Sequence, residues 1–164
     1  MRQLNITQKD EKNNRQRTKE TPKTLLQKVF IAGSIAIKSL SDNDISLINE
    51  IVEGNRTVLI GDASGIDKIV QEYLLKCNYR DVIVYFSGEK VRNNLGNWQT
   101  RQNLNPENLT GKSFYQIKDE AMAKACNCGL FFWDGKSKGT KHNMNCLDEH
   151  NKQYIVVQNH ITTL

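Results

Sequence analysis

The feature that most constrains the fold is an abrupt change of pattern at residues 59–74, LIGDASGIDKIVQEYL. The segment begins as an apolar run, stops in small residues from Gly61 to Gly65, and resumes with apolar residues at helical spacing. A strand, a tight turn and a helix in that order leave unpaired backbone N–H groups at the end of a sheet. Helix N-termini carry partial positive charge and commonly bind phosphates and other oxygen-rich ligands. The turn therefore predicts a nucleotide-like ligand, although it names no reaction.

The same alternation of apolar runs and amphipathic segments continues along the chain. Strands are predicted at 28–33, 57–60, 81–86, 129–133 and 153–157, and helices from 41 and at 65–77, 113–126 and 140–151. Strands with two apolar faces that alternate with helices indicate a parallel sheet covered on both sides, with right-handed crossovers. We therefore predict an α/β fold, a Rossmann-like three-layer domain with a mainly parallel sheet of about five strands.

The basic charge of the chain is confined to its N-terminal part. The net charge is +5, with eight Lys and Arg against three Asp and Glu in residues 1–28 and fifteen of each from Val29 onward. Residues 1–27 are polar and poor in apolar side chains, so we expect a disordered basic tail, with a nucleic-acid or partner-binding arm as the alternative. Residues 28–164 are predicted to form one ligand-binding domain.

Several classes of protein are disfavoured by composition. No apolar run approaches the roughly 20 residues that span a bilayer, and the N-terminus does not resemble a secretory signal, so we expect a cytoplasmic protein without a membrane partner. Cys77, Cys126, Cys128 and Cys146 are expected to be reduced thiols. The spacing of the last three, even with His142 and His150, does not match a zinc site. Neither a metal nor a cofactor is predicted.

The segment at 87–112 lacks clear periodicity and is too long for an ordinary connection between a strand and a helix. We predict a lid over the ligand cleft. In such a lid Arg92 would pair with an anion and Trp98 would stack on a base. The alternative is an insertion in which the aromatic side chain packs on the core.

Two acidic residues in the first turn are predicted to have different roles. Ser64 and Asp67 have the spacing of a capping box, in which each side chain bonds to the backbone of the other. Asp62 precedes that cap and would repel a phosphate on the helix, but its carboxylate can accept hydrogen bonds from ribose hydroxyls. A sugar near Asp62, with the phosphate at another helix, is the predicted arrangement.

A second turn, at 133–140 (WDGKSKGT), has the composition of an anion-binding loop. Its glycines and lysines do not match the spacing of a P-loop. The alternative is a solvated turn in which Thr140 caps the next helix. On the third helix, Lys118 and Asp119 lie at the boundary of the apolar face, where Lys118 either meets a phosphate or belongs to a solvated edge.

These turns resemble those of the SLOG superfamily, which includes DprA-type and LOG-type nucleotide-binding proteins, and more distantly the nucleoside 2-deoxyribosyltransferase-like enzymes. The resemblance rests on Gly33-Ser34, on 61–67, which is similar to the Gly-x-x-x-Gly-x-Asp turn of small bacterial members, and on 134–140. It implies a nucleotide-derived ligand with its phosphate at Gly139-Thr140. Since relatives often pair, it also implies a homodimer as one expected assembly.

The enzymatic relatives carry a carboxylate three residues after that threonine, where this chain has Asn143. An amide cannot ionise to act as a nucleophile or general base, so a nucleotide sensor or binding domain is the first hypothesis. The alternative is a nucleotide N-glycoside hydrolase, phosphoribohydrolase or deoxyribosyltransferase-like enzyme, with Asp62, Asp119 or Asp134 as the carboxylate. A third is DprA-like nucleic-acid binding. The predicted ligand-binding residues are Gly33, Ser34, Gly61, Asp62, Ser64, Gly65, Arg92, Trp98, Lys118, Asp134, Gly135, Ser137, Gly139 and Thr140.

Overall fold

A computed structural model describes residues 27–104 and 108–158, so the predicted tail at 1–27 lies almost wholly outside the described residues. These ranges form six strands and four helices. The strands are β1 Lys28–Gly33, β2 Thr57–Gly61, β3 Val82–Ser87, β4 Gln99–Asn103, β5 Cys128–Trp133 and β6 Gln153–Gln158. The helices are α1 Asp42–Glu53, α2 Ile66–Lys76, α3 Gly111–Ala125 and α4 Lys138–Glu149.

All six strands are parallel, in the order β4-β3-β2-β1-β5-β6. From β1 the chain moves outward in the sheet to β4, and it returns through α3 to place β5 on the other side of β1. The direction of winding therefore reverses between β1 and β5, which is where open α/β sheets form their ligand crevice. The predicted Rossmann-like α/β fold is confirmed, with six strands instead of about five.

The extra strand, β4, lies inside the segment that we predicted to be an irregular lid. Its sequence QTRQN is polar and its residues are mostly exposed, because β4 is the edge of the sheet and pairs with β3 alone. Neither face of such a strand packs on a core, so it lacks the apolar alternation by which strands are recognised. Helix α3 also begins earlier than predicted, at Gly111.

The core consists of two apolar layers, one on each side of the sheet. Helices α1 and α2 cover one face, where residues such as Ile31, Ile60 and Val70 are fully buried. Helices α3 and α4 cover the other face, over Phe30 and Phe131. Each such side chain contributes roughly 1.5–3 kcal/mol by leaving water. This packing holds the carboxyl ends of β1, β2 and β5 in fixed positions.

The structure also bears on membrane spans, disulfides and metal sites, which the sequence disfavoured. No helix in the described ranges is both long and apolar enough to cross a bilayer. All four cysteines are free thiols. Within the same ranges, no cluster of His, Cys, Asp and Glu side chains has an arrangement that would hold a metal ion.

Candidate functional site

A cavity of about 390 Å³ lies at the carboxyl ends of the central strands, between the loop after β3 and the helices α3 and α4. Its volume is within the range of roughly 300–1,000 Å³ that is usual for small-molecule sites. The wall combines the ends of β1 and β2 with polar residues of three helices. It is lined by Ala32, Gly33, Ile35, Ala63, Asp67, Arg92, Lys112, Tyr115, Gln116, Lys118, Asp119, Met122, Ser137, Lys138, Gly139, Thr140 and Asn143.

The turn before α4 is held by Asp134. Its Oδ1 accepts hydrogen bonds from the backbone N–H of Lys136 at 2.9 Å, from that of Ser137 at 2.7 Å and from Ser34 Oγ at 3.1 Å. The two backbone donors are the main reason that the pKa of Asp134 is lowered. Asp134 therefore fixes the shape of the turn, and Ser34 ties that turn to the end of β1.

The N-terminus of α4 opens into the cavity. The helix begins at Lys138, and its cap is Ser137, whose hydroxyl accepts from the Thr140 N–H at 3.5 Å and from the Thr140 hydroxyl at 3.3 Å. The alternative that Thr140 caps this helix is therefore wrong. Among the described residues, the backbone N–H groups of Lys138 and Gly139 have no hydrogen-bond acceptor. They are the free donors expected in the first turn of a helix.

Two further residues of α4 are shaped toward the cavity. A Cβ placed on Gly139 would meet only Ser137 Oγ, at 4.0 Å, among the described residues. One turn later Asn143 lines the same cavity, is 5% exposed, and has a buried Oδ1 without a hydrogen-bond partner in the described part of the chain. Gly139 therefore leaves space above the helix N-terminus, and Asn143 leaves an unsatisfied polar group beside that space.

The opposite mouth, at the start of α2, differs from the prediction. Gly65 is the N-cap with φ 74°, and no side chain caps the helix, so the predicted capping box of Ser64 and Asp67 is wrong. Asp67 Oδ2 instead accepts from the Ala63 N–H at 3.1 Å. The chain does form a capping box, but it lies at the start of α1.

Asp67 forms a buried charged cluster with two residues of α3. Lys118 Nζ lies 2.7 Å from Asp119 Oδ1, and both Lys118 and Asp67 are less than a tenth exposed. A Cβ on Gly61 would lie 2.5 Å from Asp67 Oδ2 and 2.7 Å from Lys118 Nζ, so a larger residue there would displace these two charged groups. Burial raises the pKa of Asp67 to about 6, although Lys118 opposes the shift. Burial also disfavours the ammonium, but Asp119 and Asp67 outweigh it and raise the pKa of Lys118.

Asp62 is fully buried and does not line the cavity, and its carboxylate is taken up by the loop after β3. Its carboxylate binds the Arg92 guanidinium in a bidentate pair, and Asn93 Nδ2 donates to its backbone carbonyl at 2.8 Å. The guanidinium carbon of Arg92 also lies 4.6 Å from the centre of the Tyr115 ring. Arg92 therefore lines the cavity while its charge is already paired.

Two aromatic residues lie in different environments. Trp98 packs on the core beside α2, and its Nε1 donates to the Tyr79 carbonyl at 2.8 Å. This position corresponds to the alternative of a packed insertion. Tyr115 is 43% exposed and lines the cavity. The aromatic surface available to a ligand thus comes from α3.

The structure brings together some of the predicted ligand-binding residues and not others. Those that line the cavity are Gly33, Arg92, Lys118, Ser137, Gly139 and Thr140, together with the catalytic candidate Asp119. Those outside its lining are Ser34, Gly61, Asp62, Ser64, Gly65, Trp98, Asp134 and Gly135. Sequence reasoning missed three further residues of α3, which recur with Asp119 at helical spacing: Lys112, Tyr115 and Gln116. It also missed Asp67 as a cavity residue.

The fold matches two solved structures of DNA processing protein A (DprA). The protein from Streptococcus pneumoniae matches with a TM-score of 0.60 and 16% identity over 84% of this chain and 52% of its own length. The protein from Helicobacter pylori, whose structure is described for its single-stranded DNA binding mode, matches with a TM-score of 0.62 and 16% identity over 87% of this chain and 70% of its own. This chain therefore spans about half the length of the first protein.

By sequence, no family model and no curated protein matches the chain. At such low identity the two structures show a shared fold. They confirm the fold that the sequence resemblance implied.

Proposed function

We propose that this chain binds a nucleotide or a nucleotide-derived small molecule in the cavity. The observation that carries the proposal is the open N-terminus of α4, where the N–H groups of Lys138 and Gly139 have no acceptor in the described part of the chain. Such groups favour an anion, and the side chain of Lys138 adds a positive charge at the same rim. The expected anion is a phosphate.

The remaining walls favour an orientation for the ligand. A phosphate is disfavoured at the start of α2, because the Asp67 carboxylate already takes a backbone N–H there. Tyr115 offers an exposed ring against which a base can stack, with the Arg92 guanidinium beside it. We therefore place the phosphate at α4 and the base toward Tyr115.

The test is a binding panel of nucleoside monophosphates, ADP-ribose and the free bases, measured by thermal shift and then by calorimetry. A ligand present at 100 times its dissociation constant adds about 2.7 kcal/mol to the free energy of unfolding. We expect at least one phosphate-bearing nucleotide to raise the melting temperature and its free base to have a much smaller effect. No shift with any nucleotide would overturn the proposal.

The same samples distinguish a binding domain from an N-glycosidic enzyme. Asp119 lines the cavity, whereas Asp62 and Asp134 are engaged by Arg92 and by the turn before α4. Chromatography after long incubation would detect released base. We expect none, and sustained release that Asp119→Asn abolishes would establish the enzyme instead.

Single-stranded DNA is the second candidate ligand, and it is favoured by the shared fold with the DprA protein that binds it. The chain has no net charge from Val29 onward. Neutralisation of the DNA phosphates would therefore depend on the basic segment at 1–28. Fluorescence anisotropy with a labelled oligodeoxythymidine, over a series of salt concentrations, measures this. Strong binding that a mononucleotide does not displace would favour DNA as the ligand.

A further inference from the structure

We propose that the cavity distinguishes ribose from deoxyribose, because Asp67, Asp119 and Asn143 together receive the two adjacent hydroxyls of a ribose. This inference rests on the proposed nucleotide function and names the sugar of the ligand. The three residues come from α2, α3 and α4 and line one cavity. Each of them has an acceptor atom without a donor among the described residues, and the Lys118 ammonium lies beside the carboxylates. Both features favour a sugar.

The two carboxylates offer acceptor oxygens to a ligand. Asp119 Oδ1 accepts from Lys118 Nζ at 2.7 Å, and Asp67 Oδ2 accepts from the Ala63 N–H at 3.1 Å. Among the described residues the other oxygen of each carboxylate has no hydrogen-bond donor. Ionised carboxylates only accept hydrogen bonds, so this end of the cavity favours a bound molecule that presents O–H or N–H groups.

The charge of the cluster favours neutral donors. Lys118 lies between the two carboxylates, within 2.7 Å of Asp119, and its ammonium repels a second cation. The two carboxylates outnumber that one ammonium and disfavour a phosphate. Hydroxyl groups satisfy both conditions, because they donate hydrogen bonds without carrying charge.

Asn143 supplies an independent reason for a hydroxyl. Its amide is 5% exposed and its Oδ1 is buried without a partner in the described ranges. A hydroxyl both donates and accepts, so it can satisfy this amide whichever way the oxygen and nitrogen are oriented. A 2′-deoxyribose has one hydroxyl fewer and would leave part of the group unsatisfied.

The test compares the four ribonucleoside 5′-monophosphates with their 2′-deoxy and 2′,3′-dideoxy counterparts by calorimetry on the full chain. We expect the best ribonucleotide to bind about tenfold or more tightly than its 2′-deoxy form, because a hydrogen bond to a charged group is lost. The dideoxy form should bind more weakly again.

Two variants connect this preference to the residues. Asp119→Asn should weaken the ribonucleotide to the level of the deoxynucleotide and change the latter by less than about twofold. Asn143→Leu removes the unpartnered amide at nearly constant volume, so it should fold and also lose part of the preference. Asp148→Asn, at an exposed position near the other end of α4, is the matched control and should keep the wild-type ratio.

The outcomes separate this inference from the proposed function. Equal dissociation constants for the ribonucleotide and deoxynucleotide, or tighter binding of the latter, would overturn the ribose preference and leave nucleotide binding intact. Binding of no nucleotide at all would overturn both. If both Asp119→Asn and Asn143→Leu kept the preference for the ribonucleotide, these residues would not be the ones that bind the ribose hydroxyls.

Discussion

Asp62 and Arg92 form a pair in which one partner is fully buried and the other is not. Arg92 Nη2 lies 2.7 Å from Asp62 Oδ1, and both Nε and the backbone N–H of Arg92 donate to Oδ2. The side chain of Asp62 is 0% exposed and that of Arg92 is 41% exposed. The carboxylate that we expected at a sugar thus fastens the loop after β3 to the end of β2.

This asymmetry predicts that losing the arginine costs more than neutralising the aspartate. Arg92→Ala leaves a buried carboxylate without its counterion, and we expect a loss of about 2–3 kcal/mol in the free energy of unfolding, less than for a fully buried pair because Arg92 is partly solvated. Asp62→Asn keeps the shape and should cost about 1 kcal/mol.

Urea denaturation of both single variants and of the double variant measures these losses in the free energy of unfolding. The double variant should be more stable than Arg92→Ala alone, because the neutral amide that replaces the Asp62 carboxylate needs no counterion. A double variant whose loss equals the sum of the single losses would contradict this account of the pair.

Most of the elements that were predicted correctly from the sequence bury apolar side chains, and β6 was predicted from its apolar run although it is an exposed edge strand. Each core strand and helix shows its period because one or both of its faces pack against a neighbour. Strand β4 was missed for the same reason, since its polar residues contribute backbone pairing at an edge and little packing. Pairing through backbone hydrogen bonds alone requires little of the side chains, so it is hard to recognise from residue type.

The site was harder to predict than the fold, because a carboxylate's partner cannot be read from its position in the chain. Asp62 and Asp67 lie in one turn, yet Asp62 faces Arg92 and Asp67 faces Lys118. A carboxylate does disfavour phosphate at the first turn of α2, but that carboxylate belongs to Asp67. The turn at 134–140 was predicted better, because local hydrogen bonds define its shape.

Gly139 provides a test in which stability and binding change in opposite directions. Replacing it with alanine removes an unfavourable glycine from the helix and meets no protein atom closer than 4.0 Å among the described residues. We expect Gly139→Ala to raise the free energy of unfolding by about 0.5–1 kcal/mol. The added methyl group occupies the space above the free N–H groups, so nucleotide affinity should fall.

The control is Asn145→Ala, at an exposed position of α4 that does not line the cavity. It improves helix propensity in the same way and should leave nucleotide affinity unchanged. Thermal melts with and without nucleotide report both quantities. Unaltered affinity in Gly139→Ala would remove the α4 N-terminus from the site.

Asp67 predicts a specific pH dependence of stability. Its pKa rises from the ordinary 3.8 to about 6 in the folded chain, so the folded state holds the proton more tightly than the unfolded state. The contribution of Asp67 is therefore most favourable below pH 3.8 and is lost as the pH rises to about 6. This difference between the two pKa values corresponds to roughly 3 kcal/mol in the free energy of unfolding.

Asp67→Asn lacks this titration, so the wild type should lose stability relative to the variant between about pH 4 and pH 6 and run parallel to it above about pH 7. Urea denaturation at several pH values measures the difference. Parallel curves over that whole range would show that Asp67 has the same pKa in the folded and the unfolded chain.

Trp98 and Tyr115 should respond to substitution in opposite ways. Trp98→Ala removes a partly buried ring and its hydrogen bond to the Tyr79 carbonyl, so we expect a loss of about 2–3 kcal/mol in the free energy of unfolding, with nucleotide affinity retained. Tyr115→Ala removes an exposed ring from the cavity wall. It should change stability by less than about 0.5 kcal/mol and weaken nucleotide binding about tenfold, because a base loses its stacking surface. Calorimetric titration of both variants, each checked by denaturation, would contradict this assignment if Trp98→Ala lost affinity while Tyr115→Ala kept it.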